Sequence, residues 1–231
     1  MTGPTYEEKR RIFERNYLLG KFNPDEIDKL MTYSRIERYA AGHEIFPKGS
    51  PGTTMMAVVT GTVRISSISL TGKEVVLNII NPGEIFGEIA LLDGGERSGD
   101  AVAIKDCELL VLNRRDFMPF LENHLDICMM LIRMLCKRVR HTSEQVEDLL
   151  FRHLEARIAK ALLQLAEGSG RGDIHRVSLD LHLSQRDLAN MVGCSRESVN
   201  KQVQVWHKAG LIEVGKGSIV IRNAAAIEQL I

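Results

Sequence analysis

The chain has 231 residues, of which 44% are hydrophobic and 26% charged, and its 30 basic and 30 acidic residues leave no net charge. That length supports one or two domains with real cores, and the composition is ordinary for a soluble globular protein. The four cysteines are scattered with no C-x-x-C pair, which argues against a disulfide framework or a zinc site. No apolar run approaches the ~18–20 residues of a membrane span and no signal peptide opens the chain, so the expectation is a cytoplasmic protein with reduced thiols.

Charge is unevenly distributed. Residues 1–151 hold 19 basic and 22 acidic groups, whereas residues 152–231 hold 11 and 8. The C-terminal part is therefore net +3, which permits contact with nucleic acid without proving it.

Residues 6–31 read as helical. Asn23 is a candidate N-cap with Pro24 at the first helical position, and Ile27, Leu30 and Met31 form an i, i+3, i+4 stripe. From Ser34 to Asn113 short apolar strands alternate with glycines, the pattern of a small antiparallel barrel or jelly roll. The clearest strands are 58–65 and 74–80, with a hairpin turn at Thr71-Gly72-Lys73. Pro82 to Ala101 interrupts the strands, with a short helical turn expected over about Gly87–Leu92. The N-terminus of such a turn favours an anion, and Gly87 allows close backbone approach. Glu88 can accept hydrogen bonds from sugar hydroxyls, and Arg97 and Ser98 supply a planar cation and a hydroxyl suited to phosphate. A ribose joined to a phosphate would satisfy this set.

Phe86-Gly87-Glu88-Ile89-Ala90-Leu91 followed by Glu96-Arg97-Ser98 resembles the phosphate-binding cassette of cyclic-nucleotide-binding domains in the CRP/FNR family of transcription regulators, nearest to its cyclic-AMP-responsive members. The resemblance implies that Glu88 holds the ribose hydroxyl and that Arg97 and Ser98 hold the cyclic phosphate, with Gly87 and Ile89 in the same cassette. Ile65 and Leu77 are then candidate walls for a nucleobase, or plain core residues. Gly99-Asp100 departs from the family's small-apolar continuation; Asp100 would either pair with Arg97 or face solvent. The N-terminal cysteine cluster of the iron–sulfur members is absent, since no cysteine precedes Cys107.

Asp116 to about Leu150 reads as one long helix. Cys128, Ile132, Leu135, Val139, Thr142, Val146 and Leu149 step by four and three, a coiled-coil seam that predicts a parallel homodimer. Thr142 is its polar member, either for register control or to meet a ligand. By the resemblance, Arg138-Val139-Arg140-His141-Thr142-Ser143-Glu144 matches the segment whose Thr-Ser pair reaches the adenine amino group, so Arg138, Thr142 and Ser143 join the nucleotide site.

A second helical block over 153–167 has one apolar face of Leu154, Ile158, Ala161, Leu162 and Leu165, with a hinge at Phe151-Arg152-His153. Residues 168–173 read as a loop. Ser184 to Val192 reads as a helix with a capping-box-like Ser184/Asp187 pair; Gly193 makes a tight turn, and Ser195 caps a second helix. Ala189, Val192, Val199 and Val203 pack the two together as a helix-turn-helix. Gly-Cys-Ser-Arg-Glu-Ser-Val resembles the family's recognition helix. Arg196, Glu197 and Lys201 would read bases and Ser195 with Ser198 would hold phosphates. Lys201 stands where the nearest relatives carry Arg, which leaves the operator sequence open. Residues 211–221 read as a β-hairpin wing whose Lys216 is a candidate phosphate contact, and Asn223 caps a short last helix.

The expected architecture is thus α+β: an N-terminal β jelly-roll cyclic-nucleotide-binding domain (1–121), a long dimerisation helix and hinge (122–152) and a C-terminal winged helix-turn-helix domain (153–231). The expected function is a homodimeric regulator responsive to cyclic AMP, with cyclic GMP as the second candidate, that binds palindromic double-stranded DNA. RNA polymerase is implied as a further partner, and no metal, membrane or enzymatic activity is expected. The rival is the same architecture with a different effector or none.

Overall fold

In a computed structural model, residues 7, 10, 20, 23–168, 177–179, 185–215 and 219–231 are described. The chain divides into two compact units, one of Met1–Gly72 with Leu77–Val139 and one of Lys73–Val76 with Arg140–Ile231.

The first unit begins with α1 (Pro24–Tyr33). The Asn23 side chain accepts the Glu26 N–H at 3.0 Å and the Glu26 carboxylate accepts the Asn23 N–H at 2.8 Å. That reciprocal capping box, with Pro24 inside the first turn, sets where the helix starts. Ile27, Leu30 and Met31 are buried, as their spacing predicts. Of the expected helix before Asn23, Glu7 and Arg10 are helical and most of the remainder lies outside the described residues.

The strands β1 (Arg35–Tyr39), β2 (Glu44–Phe46), β3 (Thr54–Thr60), β4 (Val63–Ile68), β5 (Glu74–Ile80), β6 (Ile85–Phe86), β7 (Asp100–Ala103) and β8 (Cys107–Asn113) form two four-stranded sheets, ordered β1-β8-β3-β6 and β2-β7-β4-β5. This is the expected jelly roll. One core lies between the sheets, with Met56, Val58, Phe86, Leu109 and Val111 from one and Val63, Ile80, Ala101 and Ala103 from the other. The opposite face of the first sheet offers Met55, Ala57, Leu110 and Leu112 to a second core, shared with the helices. The two faces of β3 and β8 are therefore both buried, which explains why these strands are apolar at consecutive positions instead of alternating.

One strand reading needs correction. Residues 58–65 are not a single strand: β3 ends at Thr60 and β4 begins at Val63. Gly61 turns the chain between them at φ +88, where an added Cβ would lie 2.4 Å from the Asp106 carbonyl oxygen. Only glycine fits that approach. The strand 74–80 and the turn at Gly72 stand as expected.

The expected continuous helix from Asp116 is also two helices, α3 (Arg114–Leu121) and α4 (Leu125–Phe151), after the one-turn α2 (Glu88–Asp93). The break at Glu122–His124 has a local cause. The Asn123 amide and the His124 ring reach back to the carbonyls of Pro119 (3.4 Å) and Phe120 (2.5 Å), competing with the helical ladder. Pro119 has already removed one donor from it. Phe117 and Leu121 of α3 and Ile127 and Leu131 of α4 fill the second core against α1.

The second unit contains α5 (Leu154–Gly168), β9 (Val177–Leu179), α6 (Gln185–Val192), α7 (Arg196–Lys208), β10 (Ile212–Val214), β11 (Ile219–Ile221) and α8 (Ala224–Glu228). Ile158, Ala161 and Leu162 of α5 pack with Ala189, Val192, Val199, Val203 and Trp206 in one core. Between α4 and α5, Asp148 accepts from Arg152 Nε at 2.7 Å and Lys160 Nζ at 2.6 Å. The wing hairpin pairs Ile212 with Ile221 and Val214 with Ile219. A third strand, β9, in a stretch to which the sequence reading assigned no element, pairs antiparallel with β11. Asn223 caps α8 through the Ala226 N–H.

Candidate functional site

The short α2 sits where the sequence places the cassette. Its N-cap, Gly87, has φ +75, and a Cβ there would fall 2.5 Å from Arg97 Nη1 and 3.2 Å from the Thr54 carbonyl oxygen. Glycine at this position therefore serves both the turn and the arginine packed beneath it.

Glu88, the first residue of α2, is fully buried. Its Oε1 pairs with Arg138 Nη1 of α4, and Arg138 Nη2 donates to the Ile85 carbonyl. The other carboxylate oxygen, Oε2, is buried with no hydrogen-bond partner. Arg97 is 5% exposed. Its Nη1 donates to the Gly87 carbonyl at 2.9 Å and its Nη2 to Thr54 Oγ1 at 2.7 Å, while its guanidinium carbon lies 4.1 Å from the centre of the Phe46 ring. Arg97 Nε is likewise buried and unpartnered. Burial lowers the Arg97 pKa, and the charge of Glu88 opposes that shift. The loop carrying Arg97 is pinned by two backbone bonds, Arg97 N–H to Ser50 O (2.8 Å) and Gly49 N–H to Arg97 O (2.9 Å).

Gly87, Glu88, Arg97 and Arg138 are thus brought together. Ser98 follows Arg97 and is exposed; Ile89 is exposed on α2. A Cβ on the buried Gly99 would lie 3.2 Å from Ile65 and 3.6 Å from Leu77, so those two side chains flank the strand next to the cassette. Asp100 neither pairs with Arg97 nor simply faces solvent: its carboxylate accepts the Lys48 N–H at 2.8 Å. Thr142 lies one turn beyond Arg138 on α4, and it and Ser143 are exposed. Of the seam, Ile132, Val139, Val146 and Leu149 are 49%, 65%, 51% and 45% exposed. Cys128 instead packs partly into the core of the first unit. Thr54 and Phe46, which hold Arg97, carry no motif in the sequence.

In the second unit, α6 and α7 meet across Gly193, whose φ of +67 makes the turn. Ser195 Oγ accepts the Ser198 N–H at 3.1 Å and lies 3.0 Å from Ser198 Oγ. Arg196, Glu197 and Lys201 are exposed on the N-terminal half of α7. Its inner side is anchored by Glu155, whose Oε1 accepts from Gln202 Nε2 (3.0 Å) and Trp206 Nε1 (3.2 Å). Asn200 is exposed between Glu197 and Lys201, and its Oδ1 accepts from Gln185 Nε2 at 3.4 Å. Ser184 and Lys216 lie outside the described residues. Among the described residues no cluster of His, Cys, Asp or Glu could hold a metal ion, and no helix is long and apolar enough to cross a membrane.

Two family models match the chain. Residues 36–124 match the family model of the cyclic nucleotide-binding domain and residues 156–230 that of the Crp-like helix-turn-helix domain. The chain is 33% identical over 207 residues to the cyclic AMP receptor protein of Thermus thermophilus, covering 90% of this chain and 93% of that protein. It is 32% identical over 215 residues to the CRP-like cAMP-activated global transcriptional regulator of Mycobacterium tuberculosis, covering 92% and 95%. The fold is shared with FixK2 from Bradyrhizobium japonicum at a TM-score of 0.77 and 23% identity, over 85% of this chain and 96% of that one.

Proposed function

The chain belongs to the CRP/FNR family of transcription regulators, and from that premise we propose that it is a cyclic-AMP-responsive homodimer that binds palindromic DNA. The observation that carries the ligand assignment is the pair of unpartnered buried atoms, Glu88 Oε2 and Arg97 Nε. Buried polar atoms without partners are rare and costly. Here an acceptor and a donor stand ready for a ligand that brings a hydroxyl and an anionic oxygen, as a ribose cyclic phosphate does. Arg97 holds the phosphate with Ser98, Glu88 takes the ribose hydroxyl, and Gly87 and Ile89 frame the cassette. Ile65 contacts the base. Arg138, already on Glu88, ties the ribose end of the site to α4.

Cyclic AMP is favoured over cyclic GMP by the resemblance of Thr142-Ser143 to the adenine-contacting pair, and the names of the two relatives point the same way. The exposed apolar positions of α4 suit pairing with a second copy through this helix. A two-fold dimer would set both α7 helices on half-sites one DNA turn apart. There Arg196, Glu197 and Lys201 read base edges, and Ser195, Ser198 and the wing's Lys216 contact phosphates. A regulator of this kind acts in the cytoplasm, with RNA polymerase as its further partner.

The test is a titration of a TGTGA-like palindrome at constant salt, with protein alone, with cyclic AMP and with cyclic GMP. Tightening by cyclic AMP alone supports both the effector and its base. Tightening by both indicates a tolerant base pocket. Binding indifferent to both transfers the regulator to another effector.

A further inference from the structure

His124, which stands at the break between α3 and α4, is placed for more than interrupting the helix. Its Nδ1 lies 2.5 Å from the Phe120 carbonyl oxygen and its Nε2 2.6 Å from Glu26 Oε1. Its ring stacks on Phe120 with centroids 3.9 Å apart. A carbonyl and a carboxylate oxygen both accept, so two donors are called for, and only the imidazolium supplies two. Glu26 is also the residue that closes the capping box of α1, since its Oε2 accepts the Asn23 N–H. One carboxylate therefore serves the first turn of α1 and the junction from which α4 departs.

We propose that His124 and Glu26 form a proton-operated latch that fastens the first turn of α1 to the α3–α4 junction when His124 is protonated and loosens it when the proton leaves. The charged groups facing the ring are Glu26 from α1 and Asp126 from the first turn of α4; α3 contributes the Phe120 carbonyl and ring. The Phe120 carbonyl first, then the Glu26 and Asp126 carboxylates, hold the imidazole above its ordinary pKa against the opposing effect of partial burial. The folded state thus binds the proton more tightly than the unfolded chain. The stabilisation is fully present below the ordinary histidine pKa of ~6.5. It is lost as pH rises through the raised value. The latch is independent of what occupies the nucleotide site, because neither His124 nor Glu26 belongs to it. Its consequence for function is that pH sets how firmly the start of α4, the helix that carries Arg138, is held.

The experiment uses the full chain with isotope-labelled histidine, in wild type, His124→Gln and Glu26→Gln. Gln at position 26 keeps an acceptor oxygen for the capping box, which Glu and Gln both close, and removes the charge and the second acceptor that faces His124. Nuclear magnetic resonance titration should show His124 titrating above the ordinary histidine value in wild type and falling towards it in Glu26→Gln. Hydrogen exchange of the Glu26 and Ile27 amides, corrected for base catalysis, should lose protection with rising pH in wild type and show no such dependence in either variant. A His124 that titrates at or below ~6.5 overturns the latch. So does a pH-dependence of α1 protection that survives in Glu26→Gln.

Discussion

Arg97 concentrates most of what the proposed nucleotide site asks of a single residue. Its fork spans the Gly87 carbonyl and Thr54 Oγ1 while its plane rests on Phe46. Lysine keeps the charge but cannot span two acceptors with a rigid fork. Charge-assisted hydrogen bonds contribute roughly 1.5–3 kcal/mol each, so Arg97→Lys should weaken cyclic-AMP binding roughly 10- to 100-fold by calorimetry while circular dichroism stays native. Arg97→Ala should abolish the response. Normal nucleotide affinity in either variant would remove Arg97 from the phosphate site. Gly87→Ala tests the neighbouring requirement: a left-handed alanine costs about 1–2 kcal/mol, and its Cβ would meet Arg97 Nη1. Both thermal stability and nucleotide affinity should fall together, whereas a stability loss with unchanged affinity would separate the turn from the site. Glu88 and Arg97 were legible in the sequence because they stand nine residues apart in a recognisable pattern. Thr54 lies 43 residues from Arg97 along the chain and meets it only through the pairing of loops and strands, which leaves no local trace.

Among the elements, α4 is the one whose exterior demands an explanation. Ile132, Val139 and Val146, at intervals of seven, are all about half exposed or more. An isolated surface helix would not keep that stripe without use. A carboxylate in its middle should be decisive: if α4 pairs two copies as proposed, Val139→Glu should leave the protein monomeric at micromolar concentration by sedimentation equilibrium where wild type is dimeric. A variant that remains as dimeric as wild type would show that another surface carries the pairing. The heptad stepping made this stripe readable, but it could not mark the helix start, because the break at Glu122–His124 depends on side chains reaching back to Pro119 and Phe120. The same limit applies to residues 58–65. Apolar periodicity runs through Gly61, and only the close approach to Asp106 reveals that the chain turns there. On α7 the Ser195 cap was readable from residue type alone, and Ser195→Ala should cost about 1 kcal/mol of stability. Weaker DNA binding is expected as well, measured by anisotropy at a temperature where the variant is folded.

For the whole molecule the question is how a neutral chain recognises DNA and how the proposed nucleotide would control that recognition. Neutrality overall conceals a net charge of +3 over residues 152–231. Binding should therefore weaken steeply with salt, the logarithm of affinity falling by about 0.9 for each neutralised phosphate per decade of salt. Control by the nucleotide has a stricter consequence. If cyclic AMP tightens DNA binding by some factor, operator DNA must tighten cyclic-AMP binding by the same factor, because both are legs of one thermodynamic cycle. Couplings of this kind typically fall at roughly 5- to 150-fold. Measuring DNA affinity with and without saturating nucleotide, and nucleotide affinity with and without saturating operator, closes the cycle at one salt concentration. Such a nucleotide could shift the population of a DNA-competent state only by its own difference in affinity between the two states. Thr142→Ala and Ser143→Ala should therefore shrink both legs equally if these hydroxyls sense the adenine in the DNA-competent state. Weaker nucleotide binding with an unchanged ratio would instead make them ligand contacts that favour neither state, and the switching contact would then be sought at Arg138, where Glu88 joins the cassette to α4.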